Sequence, residues 1–202
     1  MLLLYNFDFR KSLGQNFLID DSIVDNIANA IDYKENNMVI EIGPGSGNLT
    51  KKLLKKADFV LLYEIDTRLK KILSRELLEL NNYDIIWDDF LYRDVKEDLK
   101  KYNYKNIYIV ANLPYYITTP IVSKFVMETI PANEIVIMIQ KEVAERLSAP
   151  VGTKEYGQIT VLLNYYFNIE KIIYVDRKAF YPTPNVDSAV IKMIRKDNLE
   201  DL

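Results

Sequence analysis

The chain contains neither cysteine nor histidine in its 202 residues. Without a thiolate there is no covalent catalysis through cysteine, the cytosine-C5 route of base methylation included, and no cysteine-held iron–sulfur cluster for radical chemistry. The usual zinc sites lose their ligands as well, so no metal is expected. Long apolar runs are also lacking. Leu2 to Leu4 are followed by Asp8 and Arg10, a stretch too short and too polar for a signal peptide or a membrane span. The missing cysteines fit a reducing compartment, and the chain is expected in the cytoplasm, away from membranes. There is no basic excess: 26 Lys and Arg stand against 29 Asp and Glu, a formal charge of -3. Phosphate backbones are bound through Lys and Arg with release of counterions, so any nucleic-acid partner has to be gripped by local patches. Those patches are Arg10 with Lys11, the run Lys51, Lys52, Lys55 and Lys56, and Arg177 with Lys178. The Lys51 run reads as a solvated helix face, whereas the other two pairs flank motifs that carry chemistry.

Apolar side chains make up 49% of the sequence, enough core for one ordinary domain over 1–202. No repeat, low-complexity tract or interdomain linker interrupts it. Ile23, Val24, Ile27, Ala28 and Ile31 recur at helical spacing behind Asp20 and Asp21 as caps, and Leu69, Ile72, Leu73, Leu77 and Leu80 form a second stripe. Strands predicted at about 38–42, 59–64, 83–87, 106–111 and 134–139 alternate with helices, the pattern of a parallel sheet covered on both faces. Two further strands, at about 170–175 and 187–194, are too close for a crossover helix. They are expected to pair as a hairpin-like antiparallel edge on a doubly wound, Rossmann-like α/β sheet.

Ligands of such sheets bind at the carboxyl ends of the strands, and the informative residues lie there. Glu41-Ile42-Gly43-Pro44-Gly45-Ser46-Gly47 reads as strand, glycine loop and helix start. Glycines at 43, 45 and 47 let backbone approach a nucleoside closely. Their spacing misses the dinucleotide fingerprint, and Glu41 suits a cation such as S-adenosylmethionine better than a diphosphate. One strand later, Glu64 stands about twenty residues past the loop, where a carboxylate accepts from both ribose hydroxyls. After the third apolar run comes Asp88-Asp89-Phe90, with Asp89 preferred as acceptor for the cofactor's adenine amine and Phe90 covering the ring. Each of these acids also suits an ordinary strand end.

The fourth strand ends in Asn112-Leu113-Pro114-Tyr115. An adenine amine is a poor nucleophile because its lone pair is conjugated into the ring. A site that methylates it has to draw the nitrogen toward tetrahedral geometry. The side-chain oxygen of Asn112 and the carbonyl of Leu113 are two acceptors for the two amine hydrogens, Pro114 shapes the turn without a donor of its own, and Tyr115 can stack on the base. Taken alone, the tetrapeptide also fits a proline turn with a half-buried tyrosine. Phe180 and the prolines after it form a stiff loop that could stack on a base or simply turn the chain.

Four stretches together, residues 11–20 (KSLGQNFLID), 41–50 (EIGPGSGNLT), 112–122 (NLPYYITTPIV) and 180–190 (FYPTPNVDSAV), resemble the ribosomal RNA adenine N6,N6-dimethyltransferase family. The match runs from about residue 10 to residue 195. The resemblance implies a class I methyltransferase domain that uses S-adenosyl-L-methionine, releases S-adenosyl-L-homocysteine, and dimethylates two neighbouring adenosines near the 3' end of small-subunit ribosomal RNA. The implied partner is an assembling small ribosomal subunit, and the implied working unit a monomer. Carried over by position, the family's cofactor contacts fall on Asn16, Leu18, Gly43, Glu64, Asp89 and Asn112, with Gln15 beside them and the target base between Tyr115 and Phe180. Arg10, Lys11, Arg177 and Lys178 become the expected RNA contacts. Members usually continue past the last motif into a small helical domain that grips RNA, whereas this sequence stops at Leu202. A catalytic domain lacking that part, and holding its RNA weakly, is therefore expected. Two other readings share the fold: a macrolide-resistance methyltransferase acting on large-subunit RNA, and a noncatalytic ribosome-assembly or transcription factor. Leu113, Tyr115 to Pro120 and Glu155 to Gln158 side with the small-subunit enzymes, and the intact Asn112 motif beside an intact cofactor loop opposes loss of catalysis.

Overall fold

The structure is a computed structural model and describes residues 14–197. In chain order the elements are β1 (Phe17–Leu18), α1 (Asp21–Asn29), β2 (Asn37–Ile42), α2 (Asn48–Leu53), β3 (Phe59–Tyr63), α3 (Lys70–Glu76), β4 (Tyr83–Ile86), α4 (Val95–Leu99), β5 (Asn106–Asn112), α5 (Thr118–Met127), β6 (Glu134–Gln140), α6 (Lys141–Leu147), α7 (Gln158–Tyr166), β7 (Phe167–Val175), β8 (Phe180–Tyr181) and β9 (Ser188–Arg195). Seven strands form one sheet in the order β4-β3-β2-β5-β6-β9-β7, while β1 and β8 make a separate two-stranded ribbon. Strands β4, β3, β2, β5 and β6 run parallel. Being covered on both faces, they read in sequence as continuous apolar runs. Along β2, Met38, Ile40 and Ile42 enter one core layer, and Val39 enters the other.

The last two strands do pair antiparallel at the edge of the sheet, as expected, and the one that runs against the parallel strands lies inside. β9 runs antiparallel between β6 and β7, and the outermost strand is β7. Burial explains the order. Ser188 to Met193 are buried on both faces, which suits an inner strand, whereas β7 exposes Asn168, Glu170, Lys171 and Tyr174 and tolerates an outer position. Phe180 likewise belongs to a short strand, not to a free loop, because it pairs with Leu18 of β1. The first helix is capped as expected: Asp20 Oδ1 accepts from the backbone N–H of Ser22 (2.9 Å) and of Ile23 (3.4 Å). The second stripe is broken, with Leu69 in a short 3₁₀ turn and Leu77 just past α3, yet both remain in the core. Among the described residues no helix is long and apolar enough to cross a membrane.

Candidate active site

The carboxyl ends of β2, β3, β4 and β5 open on one cavity of about 330 Å³. Of the residues predicted to touch cofactor or base, Gln15, Asn16, Leu18, Glu41, Gly43, Gly45, Glu64, Asp89, Phe90, Asn112, Leu113, Pro114, Tyr115 and Phe180 line it, whereas Gly47 faces Leu73 on α3 instead. Its glycine loop is shaped by close approach. Gly45 has φ +57°, and a β-carbon there would stand 2.9 Å from the Phe17 ring. The Gly45 N–H donates to Glu64 Oε2 (3.1 Å), and Glu64 Oε1 accepts from the Asp66 N–H (2.8 Å). Glu64 is thus held by the two segments it joins, and each oxygen keeps acceptor capacity for a hydroxyl. Burial raises its carboxyl above the usual glutamate range, against the pull of those N–H groups.

Asp89 caps the 3₁₀ turn Phe90–Tyr92 through Oδ1, which accepts from the Leu91 N–H (2.9 Å). Phe90 is 3% exposed and meets Tyr63 and Phe125 edge to face, so it is core as well as wall. The neighbouring Asp88 accepts from the Asp89 N–H and pairs with Arg93. Glu41 is buried under the loop, and its Oε2 has no hydrogen-bond partner. Burial, helped by the Glu64 charge, pushes its carboxyl up to about 8.

Residues 14–19 strap the cavity. Gln15 Nε2 donates to Asp66 Oδ2 (2.7 Å), Asn48 Nδ2 donates to the Leu18 carbonyl (3.3 Å), and the Ile19 N–H donates to the Ala179 carbonyl (2.8 Å). On the other wall, Asn112 Nδ2 donates to the Asn16 carbonyl (3.4 Å), and Asn112 Oδ1 receives no hydrogen bond from any described residue. The Leu113 N–H is taken by the Met138 carbonyl (3.1 Å), and the Pro114 carbonyl accepts from Ile117 N–H and Thr118 Oγ1. The Tyr115 hydroxyl is tied to Ser188 Oγ (2.8 Å), and burial raises its phenol. Phe180 is 2% exposed behind the strap.

Arg177 and Lys178 are exposed in the turn just before Phe180 and do not line the cavity. Arg10 and Lys11 lie outside the described residues. Lys51 and Lys52 pair with Glu76 and Asp25 as members of a solvated helix face. Sequence reasoning missed Ile65, Phe17, Asp66 and Ser188. Ile65 carried a usable signal: it follows Glu64 at a strand end, lines the cavity, and is 51% exposed.

The lining includes Glu64, Asp66, Asp88 and Asp89, with Glu41 protonated beneath them near neutral pH, but no Lys or Arg among the described residues. Such a wall repels phosphate and suits a cationic nucleoside with hydroxyls and an amine to donate, which is the make-up of S-adenosylmethionine. Sheet order, glycine loop and cavity together define the fold of class I S-adenosylmethionine-dependent methyltransferases. A model of the family "Ribosomal RNA adenine dimethylase" matches residues 6–202, and the chain belongs to that family. It is 45% identical over 195 residues to the ribosomal RNA small subunit methyltransferase A of Anoxybacillus flavithermus, covering 96% of this chain and 66% of that protein. Identity to the protein of the same name from Staphylococcus haemolyticus is 44%, with the same coverage. The chain therefore spans just under two thirds of the length of these relatives. Among solved structures it resembles a dimethyladenosine transferase from Plasmodium falciparum (32% identity, TM-score 0.79, covering 89% of this chain and 63% of that one). It is equally close in shape to the 23S rRNA methyltransferase ErmE (31% identity, TM-score 0.79, covering 92% and 72%).

Proposed function

We propose that the chain is the catalytic domain of an enzyme that transfers methyl groups from S-adenosyl-L-methionine to the N6 amines of two adjacent adenosines near the 3' end of small-subunit ribosomal RNA. The observation that carries this reading is Asn112, whose amide nitrogen is held by the strap while its oxygen is left for the acid-lined cavity. Asn112 Oδ1 and the Leu113 carbonyl each accept one amine hydrogen, drawing the nitrogen's lone pair out of the ring. Tyr115, fixed by Ser188, stacks on the base, and Phe180 backs the opposite wall. The methylated amine is acidic once positively charged and gives its proton to water, so a chain without histidine lacks nothing for this chemistry.

Bound S-adenosyl-L-methionine supplies an electrophilic methyl group on its sulfonium and leaves as S-adenosyl-L-homocysteine. Glu64 accepts from the ribose hydroxyls and Asp89 from the adenine amine. Glu41 faces the positive charge, Gly43 and Gly45 allow close approach, and Gln15, Asn16 and Leu18 close the strap. Arg177 and Lys178, exposed in the turn before Phe180, contact RNA, and Arg10 and Lys11 are the other RNA contacts. The proposed working unit is a monomer acting in the cytoplasm on assembling small subunits.

The small-subunit target rests on the 45% identity to proteins of that name. Shape does not choose, since the dimethyladenosine transferase and ErmE have the same TM-score. Incubation with S-adenosyl-L-methionine and unmodified small subunits or large-subunit RNA, followed by nucleoside mass spectrometry, tests this. Dimethyladenosine in the small-subunit sample alone is expected. Product only on large-subunit RNA would transfer the chain to the resistance enzymes, and failure to bind the cofactor would favour the noncatalytic reading.

A further inference from the structure

Lys124, on α5, is 7% exposed, an unusual place for a lysine with no part in the chemistry above. Its Nζ donates to the carbonyls of Leu91 (3.3 Å) and Arg93 (2.9 Å), pairs with Glu128 (2.5 Å), and stands 5.8 Å over the Phe90 ring. Both carbonyls belong to the segment at and just after the turn Phe90–Tyr92, where a turn leaves acceptors without intrinsic donors. The same turn is capped at its start by Asp89 Oδ1. It is therefore pinned at both ends, by its own aspartate and by a cation from another layer. Helix α5 follows the Asn112 to Tyr115 loop directly, so one lysine links the two sides of the cavity.

We propose that Lys124 is a positioning residue that sets base preference in the cofactor site, holding the 89–93 segment so that the free oxygen of Asp89 faces the 6-amino group of adenine. This rests on the assignment of Asp89 to that amine. Removing the ammonium leaves the Leu91 and Arg93 carbonyls unsatisfied, and the turn relaxes away from the geometry in which Asp89 discriminates.

The test compares binding of S-adenosyl-L-homocysteine with its inosine counterpart, which has an oxygen in place of the amine, by calorimetry on the full chain. The native protein is expected to prefer the adenine form, Asp89→Ala to lose the preference, and Lys124→Met to reduce it roughly tenfold, the scale of losing hydrogen bonds to a charged group. A residue that merely stabilised the fold would lower the melting temperature without changing this ratio. An unchanged ratio in Lys124→Met, with the preference lost in Asp89→Ala, overturns the proposal and leaves the adenine assignment standing. No preference in the native protein overturns both. If Lys124→Met does not fold, Lys124→Gln, which keeps a donor on a shorter arm, is read in the same way.

Discussion

Asn112 divides its side chain between two tasks, with the nitrogen on the Asn16 carbonyl and the oxygen toward the cavity. Asn112→Ala is expected to lower single-turnover methylation by about 10² to 10³ fold, the loss typical of one polarising contact, while cofactor affinity stays within a few fold. A fall of less than threefold would remove the role. Glu41 governs a pH effect. Its folded-state value of about 8 lies well above the unfolded range near ~4.3, so between these limits the folded chain holds a proton that the unfolded chain has lost. Stability of the cofactor-free protein therefore falls as pH rises through that window, at no more than about 1.4 kcal/mol per pH unit, and levels off above it. Urea unfolding of native and Glu41→Gln chains across this range should show the native protein losing ground to the variant as pH rises, and a constant difference would refute the assignment.

At the scale of elements, the glycine loop and the strap meet where Gly45 lies against the Phe17 ring. Gly45→Ala puts a methyl group where the ring lies and places alanine at φ +57°. A stability loss of about 1 to 2 kcal/mol is expected for the backbone alone. Because the displaced ring belongs to the strap, cofactor affinity measured on folded protein should fall as well, and an unchanged affinity would show that the strap is not part of that site. The large parallel strands were legible because burial on both faces leaves unbroken apolar runs, and Glu64, Asp89 and Asn112 stood out as polar residues ending them. β7 starts earlier than its pattern suggested, since α7 passes into it at Phe167 with no turn residue between. The two-residue strands β1 and β8 are too short for any periodicity. Lys124, Asp66 and Ser188 stayed invisible for another reason: their partners are distant in sequence, and only the folded layers bring them together.

Over the whole molecule, charge is buried at the end of the sheet opposite the cavity. Lys192 on β9 bridges Glu134 at the start of β6 (3.0 Å) and Asp32 beyond α1 (2.8 Å). Glu134 is 8% exposed, so Lys192→Ala leaves a carboxylate buried and uncompensated and should cost about 3 to 5 kcal/mol in chemical denaturation. Cofactor affinity at low temperature should not change, because the network touches no cavity residue, and a stability loss under 1 kcal/mol would count against the buried pair. The strand order also has a consequence for synthesis. β7 pairs in the sheet with β9 alone, so when β7 leaves the ribosome the place of β9 between it and β6 is still an empty slot. The sheet is then completed from within, by insertion of residues 188–195 between two strands already made. Ser188, the first of these, is also the partner of the Tyr115 hydroxyl. A nascent chain short of that point has strands β2 to β5 and hence much of the cavity wall, but Tyr115, the residue proposed to stack on the base, is still unanchored until the last strand arrives.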